Sequence, residues 1–504
     1  MMSALVKLHR ILKPRIAWPA LAFAVLAPVQ PALAANYPLE IIAPRANLPT
    51  QHRMLRAYPG LAYVIRAAVV GGAFPYVYSL SNAPPDMTIH PATGEINWTN
   101  PQTTTTVTLN VTDFEGTRVS ETWRITVTAS GFRFVDAVNG SSSGSGSPGS
   151  PLRTLSDVYN RSLANDIVYF KTGTYNVTGI MTIDSGAELR VEFNQSSNSV
   201  MWLAYPGAAP VIDFMYTGTA TPRIRLLGGA IYIDGFALTR IGAMGFQVGH
   251  TGINGSIFRR LSARDLMNGV DSSNSAFITT MNTGAGLEAY GMVVQDSAFT
   301  NNTGVSAALK FYYTTKLLVE DCTFTTAGNE TLAVKMRNRQ FTIRGNTFSS
   351  ISNEAIGGNM FDGDDANDHG HYGEILFNNV RDARTAALVM NLQGEAGPTY
   401  VYRNTFQGRV LVTNTSSDDG PFSFSYNVIV NSDAGTPAGS HIQHQNVSAP
   451  ERVLVSNNLV GFPADGIVNT AGDLTAAYSS FIGTHGHMRS GGPPRPATNV
   501  LITK

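Results

Sequence analysis

In the second half of the chain, short apolar runs alternate with a recurring polar phrase. Lys316-Leu-Leu-Val319, Phe341-Thr-Ile343 and Arg452-Val-Leu-Val455 are β-rich runs. Each precedes a copy of the phrase: Asp321-Cys-Thr-Phe324, Gly345-Asn-Thr-Phe348, Phe377-Asn-Asn-Val380, Arg403-Asn-Thr-Phe406, Tyr426-Asn-Val-Ile429 and Ser456-Asn-Asn-Leu459. Their last residues are spaced by 24, 32, 26, 23 and 30 positions. Side chains alternate across a strand, so Leu309, Phe311, Val334 and Met336 are expected inside, leaving Lys310, Tyr312, Lys335 and Arg337 outside. A repeat of this length predicts stacked coils, each too small to bury a core of its own. The expected architecture is all-β, a right-handed parallel β-helix. The recurring Asn predicts a ladder of amides hydrogen-bonded from coil to coil, as in cross-β assemblies.

Residues 36–129 follow another rhythm. Short strands separated by turn signals run from Gly71-Gly-Ala-Phe-Pro-Tyr-Val-Tyr-Ser-Leu80 through Pro91-Ala-Thr-Gly-Glu-Ile-Asn-Trp98 and Val107-Thr-Leu-Asn-Val-Thr-Asp113 to Trp123-Arg-Ile-Thr-Val127. This spacing predicts a small β-sandwich. The chain therefore reads as 36–129, a sandwich, and 131–504, the β-helix.

Composition adds an address. Lys7, Arg10, Lys13 and Arg15 precede an apolar run, Ile16 to Val29, that ends in Ala32-Leu-Ala34. Residues 1–34 are expected to be a secretory signal peptide, too short and too proline-rich to span a bilayer. The product would be secreted or periplasmic in a bacterium, with no integral membrane segment. Its removal takes four bases and no acids from 35 of each, leaving a net charge of about −4, which argues against nucleic acid as a partner. The single cysteine, Cys322, excludes an intrachain disulfide. It occupies the ladder position and is expected to be a buried, inert thiol.

The first region resembles the cadherin-like and Ig-like modules of bacterial surface and secreted proteins, through "GG-x-x-P-Y-x-Y-S-L", "G-x-I-x-W" and "V-x-D-x-x-G". The resemblance implies a spacer or adhesion unit able to stand apart from the rest. Asp113 and Glu115 are expected in a solvated turn, with calcium as the alternative. Phe134-Val-Asp136, the Gly/Ser segment 140–149, Pro151-Leu-Arg-Thr-Leu155 and Asp166-Ile-Val-Tyr-Phe170 with Gly173-Thr-Tyr175 resemble the opening of pectate-lyase-like β-helices. There a short helix, expected here over 155–164, covers the open end of the first coil. Fold does not fix reaction.

Aligning coils on the phrase ends places Lys310 and Lys335 as near neighbours on one outer face, with Asn391, Asn414 and His444 farther along it. Adjacent lysines repel, which favours a neutral amine able to act as a general base. That is the need of β-elimination in a uronic-acid polysaccharide: a base takes the C5 proton while a cation offsets the carboxylate. Arg337, Arg339 or bound calcium would be that cation. Tyr312, Tyr313, Phe361, Tyr372 and Tyr400 are candidates for stacking on sugar rings.

Glu330-Thr-Leu-Ala-Val-Lys335 followed by Gly345-Asn-Thr-Phe348 is similar to a signature of the chondroitinase B and alginate lyase family. The resemblance implies Glu330 as a calcium ligand and Lys335 as the base. Phe361-Asp-Gly-Asp-Asp-Ala-Asn-Asp-His-Gly-His371, inserted in the 32-residue interval, supplies Asp362, Asp364, Asp365 and Asp368 as further calcium ligands. The same aspartates could serve as acid and base in glycoside hydrolysis. Three functions stay open: a lyase for an acidic polysaccharide, a glycoside hydrolase, and a non-catalytic β-helix that binds or helps export polysaccharide.

Overall fold

The computed structural model describes residues 37–161 and, with gaps in the connecting segments, 166–460. The expected leader lies outside the described residues. Among those described, no helix is long and apolar enough to cross a membrane.

Three long sheets form the second region. Sheet I runs from Phe132–Val135 and Ile167–Phe170 to Val453–Ser456, sheet II from Gly173–Asn176 to Leu459–Val460, and sheet III from the hairpin Thr182–Asp184/Glu188–Phe193 to Ile442–Gln445. Apart from that hairpin the pairings are parallel, and successive coils contribute one strand to each sheet in turn. This is the right-handed parallel β-helix that the repeat predicts. Alternation fills its interior with apolar side chains. Phe299, Phe324 and Phe348 stack in line, with centroids 5.2 and 4.6 Å apart.

The amide ladder is present. Asn346, Asn378, Asn404 and Asn427 each pass an Nδ2–H to the Oδ1 of the next, ending at Asn458, at 3.0, 3.0, 3.0 and 2.8 Å. Each Oδ1 from Asn346 onward also accepts the backbone N–H of the preceding position, starting with Cys322 at 2.9 Å. Cys322 is buried, and burial raises its thiol pKa far above the usual range. The last phrase needs a correction: Asn458, not Asn457, continues the ladder, and Ile429 pairs with Val460 rather than Leu459. The residue before each ladder position takes positive φ at Asp321, Phe377, Arg403 and Tyr426 (55–56°). These bends turn sheet I into sheet II.

A helix, Leu155–Arg161, sits at the start of the stack. Thr154 caps it: the Asp157 N–H donates to Thr154 Oγ1 at 3.1 Å and the Thr154 N–H to Asp157 Oδ2 at 2.9 Å. Leu155 and Val158 enter the core of the first coils.

The N-terminal module has small sheets of two, three and four strands, with Trp98 and Trp123 buried. Asp113 is not solvated as expected; it is buried and accepts the N–H groups of Ala73, Glu115 and Thr117. Nor does the module stand apart, because it covers the outer face of sheet I. On that face Asp234, Arg259, Gln295, Glu320 and Arg344 are successive cross-strand partners, and all are buried. From the module, Arg66 pairs with Asp321 at 2.7 Å, Glu320 at 3.2 Å and Asp296, while Glu95 pairs with Arg259. Arg344 binds Glu320 at 2.8 Å, donates to Tyr76 Oη and Val69 O, and lies over the rings of Phe74 and Tyr76. The segment Val69 to Tyr76, which carries the family-like wording, is thus the docking edge. The contacts place module and helix in one compact unit, Ala34–Lys504. Sheet I is closed to solvent here by the module.

Candidate functional site

Strand pairing in sheet III fixes which outer side chains share a row. Tyr312 is the cross-strand partner of Lys335, whereas Lys310 pairs with Ala333. Ala333 in turn pairs with Gly357. Two residues on, Asn359 pairs with Asn391, Asn391 with Thr413, and Thr413 with Gln445. On the outer face Tyr312 therefore aligns with Lys335, and Asn391, Thr413 and Gln445 align in later coils; of these Tyr312 and Thr413 are buried.

This row corrects two sequence expectations. Lys310 is two residues out of step with Lys335 and is buried. His444 pairs with Val412, which pairs with Met390, and both of those are core residues. A one-residue slip moves a strand position to the opposite face, and the slip began at the Asn457/Asn458 ambiguity. Asn391 keeps its place, with Thr413 beside it instead of Asn414.

At one end of the row lies a charged group. Lys335 Nζ contacts Glu330 Oε1 at 2.8 Å, with both side chains about one-sixth exposed. The two residues belong to one strand, Glu330–Lys335, five positions apart. The lysine stem must lie back along the strand to make the contact, over Ala333 and Thr331, which are buried. Lys335 therefore finds a carboxylate where a second lysine was expected. Glu330 has Glu354 as its cross-strand partner in the next coil. Partial burial first, and then the Glu330 charge, raise the Glu354 pKa from 4.5 to about 7, against the opposing pull of Lys335 and Arg409. Arg409 is held by its Nε–H to Thr385 O at 2.8 Å. Glu354 was missed by sequence reasoning. The only available signal was its 24-residue spacing from Glu330, equal to the preceding phrase interval.

The remaining expected site residues scatter. Arg339 opens the sheet I strand Arg339–Arg344 and pairs with Thr315 and Tyr372, away from the row. Tyr313 is buried. Tyr372 and Tyr400 pack against Tyr37 of the module, at 5.8 and 5.6 Å between centroids. Arg337, Asn414, Asp362, Asp364, Asp365 and Asp368 lie outside the described residues. For calcium, Glu330 and Glu354 offer two carboxylates, and one is engaged by Lys335. Among the described residues no group of three or more acidic, histidine or cysteine side chains is placed to hold a metal. Calcium takes six to eight oxygens, so the described residues alone do not fit it.

A family model described as "Putative Ig domain" matches residues 53–128. No curated protein matches the chain. Similar solved structures include a rhamnogalacturonan lyase, 16% identical over 68% of this chain and 90% of that one, with a TM-score of 0.38. Pectate lyase Pel9A is 14% identical over 72% and 87%, with a TM-score of 0.39. A family 28 exopolygalacturonase of Yersinia enterocolitica is 10% identical over 84% and 98%, with a TM-score of 0.37. The architecture itself rests on the strand pairings above.

Proposed function

We propose that this is an exported protein that binds an acidic, uronate-containing polysaccharide along the sheet III row and cleaves it by β-elimination. The observation that carries the reading is the charged group of Lys335, Glu330 and Glu354, with the polar positions Asn391, Thr413 and Gln445 on later coils of the same sheet. Amides and hydroxyls at strand spacing suit a linear chain of hydroxylated rings, and a cation at one end suits a uronate carboxylate. In the reaction a base removes the proton at C5, the bond from C4 to the glycosidic oxygen breaks, and that oxygen takes a proton. Lys335 is assigned the base role. Glu354, protonated near neutral pH, is assigned the proton for the leaving oxygen. Calcium, with ligands supplied from 362–368, remains part of the proposal only as a binding partner, and no step runs through it.

A second reading has its own support. Glu330 and Glu354 are cross-strand neighbours, one paired with Lys335 and the other raised to about 7 by burial, a pairing of carboxyls that the acid and nucleophile of a retaining glycoside hydrolase also need. One experiment separates the two. The mature protein is incubated with a panel of acidic glycans, followed by ultraviolet absorbance for the unsaturated product and by reducing-end release. Absorbance means elimination; reducing ends without it mean hydrolysis; neither leaves a binding protein. Under elimination, Lys335→Ala lowers turnover by roughly 10² or more without loss of fold.

A further inference from the structure

A second cleft lies where the module meets the first coils, away from the sheet III row. It encloses about 260 Å³ and is lined by Tyr58 and Leu61 from the module and by Phe134, Pro148, Lys171 and Tyr205 from the helix region. Phe170 and Ala204 are cross-strand partners, so Lys171 and Tyr205, the next residue of each strand, stand one coil apart. Val135 pairs with Phe170, which adds Asp136 to the same file. Lys171 Nζ donates to Asp136 Oδ2 at 3.2 Å and its side chain is 38% exposed. An ammonium has three N–H donors, so this contact leaves others for a ligand. Burial alone would raise the Asp136 pKa, but N–H groups of Asn139 and Val138 prevail and hold it at about 2. That carboxylate stays ionised and holds the lysine in place.

The aromatic walls are pre-set. Tyr58 meets Phe132 and Phe134 edge-on at 5.4 and 5.2 Å, and Tyr205 meets Phe134 and Tyr169 at 6.3 and 6.2 Å. Both tyrosines sit on hydrogen-bonded turns: Leu61 N–H to Tyr58 O at 3.2 Å, and Ala208 N–H to Tyr205 O at 2.7 Å. Among the described residues neither phenolic hydroxyl has a hydrogen-bond partner. Ordered walls reduce the ordering cost of binding.

We infer that this cleft is a sugar-binding subsite for a single hexuronate unit. The volume lies just under the ~300–1,000 Å³ range of drug-sized sites, which favours one ring over a longer segment. Tyrosine offers an apolar face to ring C–H groups and a polar tip to hydroxyls. Lys171 supplies a charge-assisted bond to a carboxylate. Four sheet I strands separate Tyr205 from the coil of Lys335, about 19 Å along the axis at roughly 4.8 Å each. The subsite would hold a remote part of the polymer. The identity of its occupant rests on the polysaccharide reading, although the cleft does not depend on the sheet III chemistry.

The test is saturation-transfer NMR on the intact protein with sodium glucuronate, using glucose as the uncharged control. Wild type should saturate glucuronate ring protons, and Tyr205→Ala and Lys171→Gln should each weaken binding about tenfold. Lys171→Gln should leave the weaker glucose signal unchanged. Gln can still donate to Asp136, so Lys171→Gln isolates the charge if Tyr205→Ala perturbs packing. Absence of saturation in wild type, or equal binding by both variants, overturns the subsite. If these results hold while the glycan panel shows no cleavage, the catalytic reading fails and the subsite stands. If cleavage occurs and both variants bind like wild type, only the subsite fails.

Discussion

The outer faces of sheets I and III both carry charged side chains at strand spacing, and the protein treats them in opposite ways. On sheet I the cross-strand row from Asp234 to Arg344 is buried, and acids and bases meet within the protein. On sheet III, Glu330 faces Glu354 across the strands with one lysine between them, and one carboxyl responds by rising to about 7. Compensated, dry charge holds two parts together. Uncompensated charge at a partly open face is available to a ligand.

The contrast breaks most visibly at Arg344. Removing one partner from a buried, multiply bonded group leaves the rest uncompensated, so Arg344→Ala should cost about 3–5 kcal/mol of unfolding free energy by denaturant melting. A change below ~1 kcal/mol would mean that the sheet I face is solvated and the module loosely attached. The same argument revises the expectation of independence. A chain starting near Ser130 would expose Arg259, Glu320 and Arg344, and it should be less stable than the intact protein.

Asn378→Ala should rank next, at about 2–3 kcal/mol. It leaves the buried Asn346 N–H and the Ile343 carbonyl without their partners. A loss as large as that from Arg344→Ala would place the ladder, not the charged interface, as the main fastening.

The smallest effects sharpen the comparison through pH. His52, at the module interface, is buried, accepts from Met54 N–H and meets Gly255 O at 3.2 Å through Nε2. Burial lowers its pKa from 6.5 to about 4. The unfolded chain then binds the proton more readily, so stability falls as pH drops from about 6.5 towards 4. Glu354 has the opposite sign: its folded pKa is raised, so its contribution is full below about 4.5 and is lost as pH rises through 7. Melting curves across pH 4–8 should show His52→Gln flattening the acid limb and Glu354→Gln the neutral limb. Identical profiles for Glu354→Gln and wild type would remove the carboxyl pair from the proposed site.

Much of the fold was legible because it is periodic. The Asn phrase, the alternation of Leu309 with Lys310, and the capping of Leu155–Arg161 by Thr154 are local patterns that the chain repeats or completes within a few residues. Asn391 and Lys335 were placed on the right face for the same reason. Lys310 and His444 were misplaced because coil length varies between phrases, and a shift of one or two residues is decisive for a side chain though invisible in the repeat.

By itself, then, the sequence determined a stacked β-coil with a sandwich ahead of it, since apolar alternation and hydrogen-bonding amides act at short range. The tertiary structure alone decided that the sandwich closes sheet I, that Glu330 faces Glu354, and that the Tyr58–Tyr205 cleft exists. Those contacts join residues far apart in the chain or in different coils. Their geometry depends on the summed lengths of intervening loops, which no local pattern encodes.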